Sequence, residues 1–103
     1  MNTLAYFTVE LARPPDGWSC IPELAARARS ASDELRREGA EVQFVRAVFV
    51  PEDDVCLHLY RAASADDARA AAGRAGLPFD GIAEAIAAGE SDLDQRDVRE
   101  EER

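Results

Sequence analysis

Apolar and polar residues alternate along three short segments of the chain, as they do in half-buried β-strands. Residues 4–12 alternate and include aromatic and β-branched side chains, which predicts a first strand. Residues 42–50 and 55–61 have a similar composition. Because residues 51–53 form a turn-like sequence between them, we expect the second and third strands to pair as a hairpin.

Two longer segments have apolar residues at helical spacing. The first begins after Ser19, which is suited to cap a helix, and ends at Gly39. The second follows Ser64 in a sequence similar to a capping box and closes at Gly76, with an inner face that is almost entirely alanine. The apolar stripe of the first helix consists of Ile21, Leu24, Ala25, Ala28, Ala31 and Leu35.

The order of these elements predicts an α+β domain of ferredoxin-like type. Residues 82–88 are expected to form the closing strand of a β-α-β-β-α-β order, although alanine and glutamate favour helices. Right-handed crossovers would place both helices on one face of a four-stranded antiparallel sheet. We expect this domain to occupy residues 1–89. Residues 90–103 are mostly charged and are expected to be a disordered acidic tail.

The composition of this chain of 103 residues, which is the length of a single domain, argues against several classes of function. The net charge is −9, and all 12 basic residues are arginine. This shortage of positive charge argues against non-specific binding to nucleic acid and against docking on anionic membranes. Neither a signal peptide nor a bilayer-spanning apolar run is evident, and two cysteines do not make a disulfide framework. We therefore expect a cytoplasmic protein in a reducing compartment.

The sheet face away from both helices, called the open face below, is assigned its residues by strand alternation. In the third strand, the row of Val55, Leu57 and Leu59 is expected to lie in the core. Arg46 would be a buried, unpaired charge beneath the helices, so its row in the second strand is assigned to the open face. The residues predicted on the open face are Tyr6, Thr8, Glu10, Phe44, Arg46, Val48, Cys56, His58 and Tyr60.

Three aromatic side chains on one sheet face would expose more apolar area than a monomer usually exposes. A second copy of the chain is the common way to cover such a surface. We therefore expect a homodimer of dimeric α/β-barrel type, with a ligand pocket between the two sheets. The predicted pocket residues are Tyr6, Thr8, Phe44, Arg46, Val48 and Tyr60.

The candidate metal ligands are Cys56 and His58, because side chains two residues apart on a strand share a face. A thiol and an imidazole suit nickel, copper or zinc, and Glu10 or the second subunit could supply further ligands. Other interpretations stay open: Cys56 as a small buried hydrophobe or a reactive thiol, His58 as a structural residue, and Glu10 as the ion-pair partner of Arg46. Cys20, before the first helix, has no neighbours in sequence that complete a catalytic set.

The chain resembles a family of small bacterial proteins described as nickel-binding or as a domain of unknown function. The resemblance covers residues 4–88, and its specific parts are the hairpin over residues 41–60 and the segment 75–80. It implies a ferredoxin-like fold, a dimer related to the dimeric α/β-barrel superfamily, and nickel binding in some members.

The resemblance also implies a metal site at Cys56 and His58, with Glu10 as a further ligand. Some relatives have histidine where this chain has Arg46. Because the arginine fork matches carboxylates, the substitution would favour an anionic organic ligand over nickel.

Two main hypotheses about function result. The first is a non-catalytic, dimeric protein that binds nickel at Cys56 and His58. The alternative is a cofactor-free enzyme of dimeric α/β-barrel type, such as a monooxygenase, cyclase or isomerase, acting on a small organic substrate. In that enzyme His58 would be the general acid or base, and Arg46 and Tyr60 would orient an oxyanion. A third possibility is an interaction module whose open face binds another protein.

Overall fold

The computed structural model describes residues 4–86 and confirms the predicted order of elements. The predicted tail, residues 90–103, lies outside this range, so its expected disorder stays a prediction. A short 3₁₀ turn, Pro51–Asp53, connects the second and third strands. The strands and helices are β1 (Ala5–Leu11), α1 (Ile21–Arg37), β2 (Val42–Val50), β3 (Val55–Ala62), α2 (Ala65–Arg74) and β4 (Phe79–Ala85).

The four strands form one antiparallel sheet in the order β2-β3-β1-β4. Helix α1 packs against β2 and α2, and α2 packs against all four strands, so both helices cover the same face. The closing strand is confirmed, although β4 begins at Phe79, three residues before the predicted start. The fold is therefore ferredoxin-like α+β. No helix within residues 4–86 is long and apolar enough to cross a membrane.

The helix boundaries follow local signals, with one exception. Ser64 Oγ accepts a hydrogen bond from the backbone N–H of Asp67 at 3.2 Å, which confirms it as the N-cap of α2. Gly39 follows α1 with a φ of +103°, a conformation that glycine adopts readily. Ser19, in contrast, is not the cap of α1: the N-cap is Cys20, and its side chain makes no capping hydrogen bond.

The row of β3 that faces the helices is the opposite of the predicted one. Cys56, His58 and Tyr60 are completely buried in the core, whereas Leu57 and Leu59 lie on the open face. The helix surfaces above the sheet are built largely from alanine. Small residues on the helices leave depth beneath them, and close packing of the core requires large side chains to fill it.

A β-bulge in β2 explains why Phe44 and Arg46 do not share a face. The register with β3 shifts between these two residues, with Val45 as the extra residue. Phe44 pairs with Tyr60 and is buried with it, while Arg46 pairs with Leu59 and is exposed. The assignment of Arg46 to the open face was therefore correct, and that of Phe44 was wrong, because a bulge interrupts the alternation from which both were derived.

Candidate functional site

The structure brings Cys56, His58 and Tyr60 together beneath the helices. Alternation along β3 directs all three side chains to one face, as predicted, but this face belongs to the core. The His58 ring meets Phe44 edge-on with ring centroids 5.0 Å apart, and its centroid lies 6.5 Å from that of Tyr60. The guanidinium of Arg29 on α1 covers the Phe44 ring from 5.2 Å. The site is thus a buried, ring-lined layer between α1 and the sheet.

Four buried polar atoms in this layer lack a hydrogen-bond partner within residues 4–86. They are His58 Nδ1, His58 Nε2, Tyr60 Oη and Ser32 Oγ, the last contributed by α1. Buried polar atoms are nearly always satisfied in folded proteins, and exceptions are often explained by an ion, a water molecule or a functional role. Their concentration in one layer therefore marks it as the candidate site.

Burial holds the titratable groups of this layer in their neutral forms. It lowers the pKa of His58 from 6.5 to about 4, so the imidazole is neutral at pH 7 and has a free lone pair. Burial also raises the pKa of the Tyr60 hydroxyl. The pKa of the Cys56 thiol is raised mainly by burial and further by the nearby Cys20. A cation that binds here can therefore be coordinated by the neutral imidazole of His58 directly, but it must displace the proton of the Cys56 thiol.

Cys20 is the residue near this site that sequence reasoning left isolated. It precedes α1, is half-buried, and packs against the same core that contains Cys56. It also lines a cleft of about 350 Å³ at the N-terminal end of α1, with Leu11, Leu24 and Leu77 among the other walls. The predicted topology could have indicated this proximity. In a β-α-β-β arrangement the start of α1, with Cys20, and the start of β3, with Cys56, lie at the same end of the sheet.

The remaining predicted site residues lie on the open face. Tyr6, Thr8 and Glu10 alternate with the buried row of β1, as expected. Thr8 Oγ1 donates a hydrogen bond to the backbone carbonyl of Ala83 at 3.4 Å. Val48 is 41% exposed and pairs with Leu57, so the face is apolar at this position. The open face therefore keeps Tyr6, Thr8, Glu10, Arg46 and Val48 from the predicted set and gains Val55, Leu57, Leu59 and Arg61.

Residues that were predicted to share the metal site or the ligand pocket consequently lie on opposite faces of the sheet. Glu10 lies on the face opposite Cys56 and His58 and cannot join them within one subunit. Arg46 is likewise on the opposite side from His58 and Tyr60, so the oxyanion-binding arrangement expected for the enzyme hypothesis is not assembled. Glu10 and Arg46 stand on β1 and β2, with β3 between them, and form no ion pair in the described part of the chain.

Comparison with known proteins identifies the family. A family model described as "Nickel responsive protein SCO4226-like" matches residues 14–85. The chain belongs to this family. The crystal structure of SCO4226 from Streptomyces coelicolor A3(2) matches with a TM-score of 0.57 and 22% sequence identity, covering 79% of this chain and 95% of that one. This similarity supports the ferredoxin-like fold. No curated protein matches the chain.

The range matched by the SCO4226-like model includes some of the predicted ligands and excludes another. It spans every helix and strand from α1 to β4, and so contains Cys20, Cys56 and His58, but it begins after Glu10. Within residues 4–86 no three His, Cys, Asp or Glu side chains are grouped closely enough to hold a metal ion. A nickel ion would therefore find two strong donors in this chain, Cys56 and His58, with the unpartnered hydroxyls of Tyr60 and Ser32 in the same layer.

Proposed function

We propose that this SCO4226-like protein is a homodimeric, non-catalytic nickel-binding protein in which Cys56 and His58 supply the strong ligands. The observation that supports the proposal is the imidazole of His58. It is completely buried, neither ring nitrogen has a partner in the described residues, and a thiol lies two residues away on the same face. Imidazole nitrogen and thiolate sulfur are donors that bind nickel and neighbouring transition metals.

The chemistry of the two donors predicts how binding depends on pH. Nickel requires a neutral imidazole, which His58 provides above its low pKa, and a thiolate, which Cys56 provides only after losing a proton against a raised pKa. Binding should therefore release a proton and strengthen as the pH rises. Because both donors are completely buried, the ion can reach them only when the packing around them opens. Nickel uptake is thereby coupled to a change in conformation.

The open face supports the proposed dimer. Val48, Leu57 and Leu59 form an apolar surface across β2 and β3, and no element within residues 4–86 covers it. A second copy related by a two-fold axis would present the same apolar row and bury both. In this arrangement Glu10 and Arg46 of the two copies would line the interface, while each Cys56 and His58 pair would stay within its own subunit.

Isothermal titration calorimetry with Ni²⁺ on protein purified without a histidine tag tests the nickel site. We expect saturable binding to the wild type, loss of binding in the double variant Cys56→Ser, His58→Ala, and unchanged binding in Glu10→Gln. The last variant is the matched control, since it removes a predicted ligand that the sheet places on the other face. Equal binding heats from the wild type and the double variant would refute the proposed ligands.

A folding defect in the double variant must be distinguished from loss of the ligands. Circular dichroism of each variant establishes whether the fold is retained. The single variant Cys56→Ser changes one atom and provides a second readout, because a nickel–thiolate bond gives a charge-transfer absorption band that a serine ligand cannot give. Wild-type protein that binds Ni²⁺ without this band would contradict coordination by Cys56.

A further inference from the structure

The two cysteines of the chain lie at the same end of the molecule. Strands β1 and β2 both run antiparallel to β3. The same end of the sheet therefore contains the last residues of β1 and β2 and the first residues of β3. Cys20 is the N-cap residue of α1, after β1, and Cys56 is the second residue of β3. Both thiols are free and both pack against the core beneath the helices.

Contacts between the β1–α1 loop and the β2–β3 turn hold Cys20 over this end of the sheet. Trp18 Nε1 donates a hydrogen bond to Asp54 Oδ1 at 2.9 Å, and Arg13 Nε lies 2.8 Å from Asp54 Oδ2. The Trp18 ring also packs on Phe49 with centroids 5.9 Å apart. Because Phe49 is the cross-strand partner of Cys56, these contacts hold the β1–α1 loop next to the strand position of the buried thiol. The effect of Cys20 on the pKa of Cys56 is consistent with this proximity.

The two thiols differ in access to solvent. Cys20 is half-buried and lines the cleft at the N-terminal end of α1, whereas Cys56 is completely buried in the core and does not line this cleft. A small reagent that enters the cleft therefore meets Cys20 first. When an accessible thiol forms a mixed disulfide with a reagent, a second protein thiol nearby can attack it and replace it with an intramolecular disulfide.

We propose that Cys20 and Cys56 form a reversible intramolecular disulfide when the protein meets a low-molecular-weight disulfide. The Cys20 thiolate attacks one sulfur of the reagent and releases the other as a thiolate, which leaves a mixed disulfide on Cys20. The Cys56 thiolate then attacks the Cys20 sulfur and releases the second thiolate. The two protein thiols are oxidised, the reagent is reduced to two thiols, and the two protons pass to those thiols. The reaction involves no metal ion and does not depend on nickel binding.

Intact-mass spectrometry of metal-free protein, treated with glutathione disulfide in the presence of a chelator, tests the proposal. We expect the wild-type monomer to lose the mass of two hydrogen atoms and both titratable thiols, and a thiol reductant to reverse the change. Cys56→Ser should stop at the mixed disulfide, because the resolving thiol is missing. Cys20→Ser should stay unmodified under native conditions, because Cys56 is buried.

A matched control moves the accessible thiol by one position. The double variant Ser19→Cys, Cys20→Ser keeps the number of cysteines but places the thiol on an exposed residue outside the core. It should accumulate the mixed disulfide and close the internal bond at least tenfold more slowly than the wild type. Equal closure rates in the two proteins, two free thiols in the treated wild type, or a disulfide that joins two chains would overturn the proposal.

Discussion

At the scale of single residues, His58 is the most unusual side chain in the structure. It is completely buried, and neither ring nitrogen has a hydrogen-bond partner within residues 4–86. An imidazole in this setting is stable only while it is neutral, since the charged form would lose its hydration without compensation. The neutrality that keeps one nitrogen lone pair available to a metal ion also makes the fold sensitive to acid.

Metal-free protein should lose stability between pH 6.5 and pH 4 because of His58. Its pKa is 6.5 in the unfolded chain and about 4 in the folded one, so in this range the unfolded state binds more protons and stability falls as the pH falls. The expected loss from this residue is about 2 kcal/mol at pH 5 and about 3 kcal/mol at pH 4. Urea unfolding at a series of pH values measures it.

The matched variant for this measurement is His58→Leu, which fills the layer with an apolar side chain that cannot titrate. Its free energy of unfolding should fall less steeply than that of the wild type over the same pH range, and the difference between the two curves isolates the histidine from the carboxylates. Parallel curves would mean that His58 does not govern the acid sensitivity of the fold.

The sequence was sufficient to pair Cys56 with His58 on one face, but it did not determine which face. Both rows of β3 contain large side chains that can be buried, and hydrophobicity alone favours the row of Leu57 and Leu59. The deciding information lies in the helices, whose alanine surfaces leave space for the rings of His58 and Tyr60. The bulge beside Phe44 has no signal of its own in a run of β-branched and aromatic residues.

At the scale of secondary-structure elements, the two helices begin in different ways. Helix α2 has a side-chain cap, with Ser64 accepting a hydrogen bond from the backbone of Asp67. Helix α1 begins at Ile21 without one, since its N-cap Cys20 makes no capping hydrogen bond, and Pro22 in its first turn lacks the N–H that a cap would satisfy. The second helix therefore depends on its cap more than the first does.

Ser64→Ala should destabilise the protein by about 1 kcal/mol, because it leaves a backbone N–H of the first turn of α2 without its partner. Ser19→Ala is the matched control and should change stability little, since Ser19 is exposed and caps nothing. Chemical denaturation of the two variants side by side measures the difference. Equal losses of stability would show that the Ser64 hydroxyl does not act as a cap.

The existence of every element was predictable, and the boundaries were less so. Ser64, Gly39 and Gly76 are strong local signals, and each marks the helix end expected of it. The start of β4 was misplaced because Pro78 and Phe79 resemble a connector. Pairing with β1 makes Phe79 part of the strand, and such long-range pairing is not encoded in the local sequence.

At the scale of the whole molecule, the open face determines how subunits would meet. Leu59 lies in the middle of this face, paired with Thr8 on one side and Arg46 on the other. Leu59→Arg should convert the proposed dimer to a monomer, because a charge in the centre of an apolar interface costs about 2 kcal/mol or more, roughly a 30-fold loss of affinity.

Sedimentation velocity at micromolar concentration measures this change in assembly. The control is Ala70→Arg, which places the same charge on an exposed position of α2, on the opposite side of the sheet. The control should sediment as the wild type does. A wild-type monomer, or a dimer that survives Leu59→Arg, would exclude the open face as the interface.

The position of Trp18 makes its intrinsic fluorescence a probe of the β1–α1 loop. It is the only tryptophan in the chain, and its indole is held between Phe49 and Asp54, two residues before Cys20. Detachment of the β1–α1 loop would transfer this indole from a ring contact into water and shift its fluorescence to longer wavelength. The emission spectrum of unlabelled protein therefore responds to the opening of this end of the molecule.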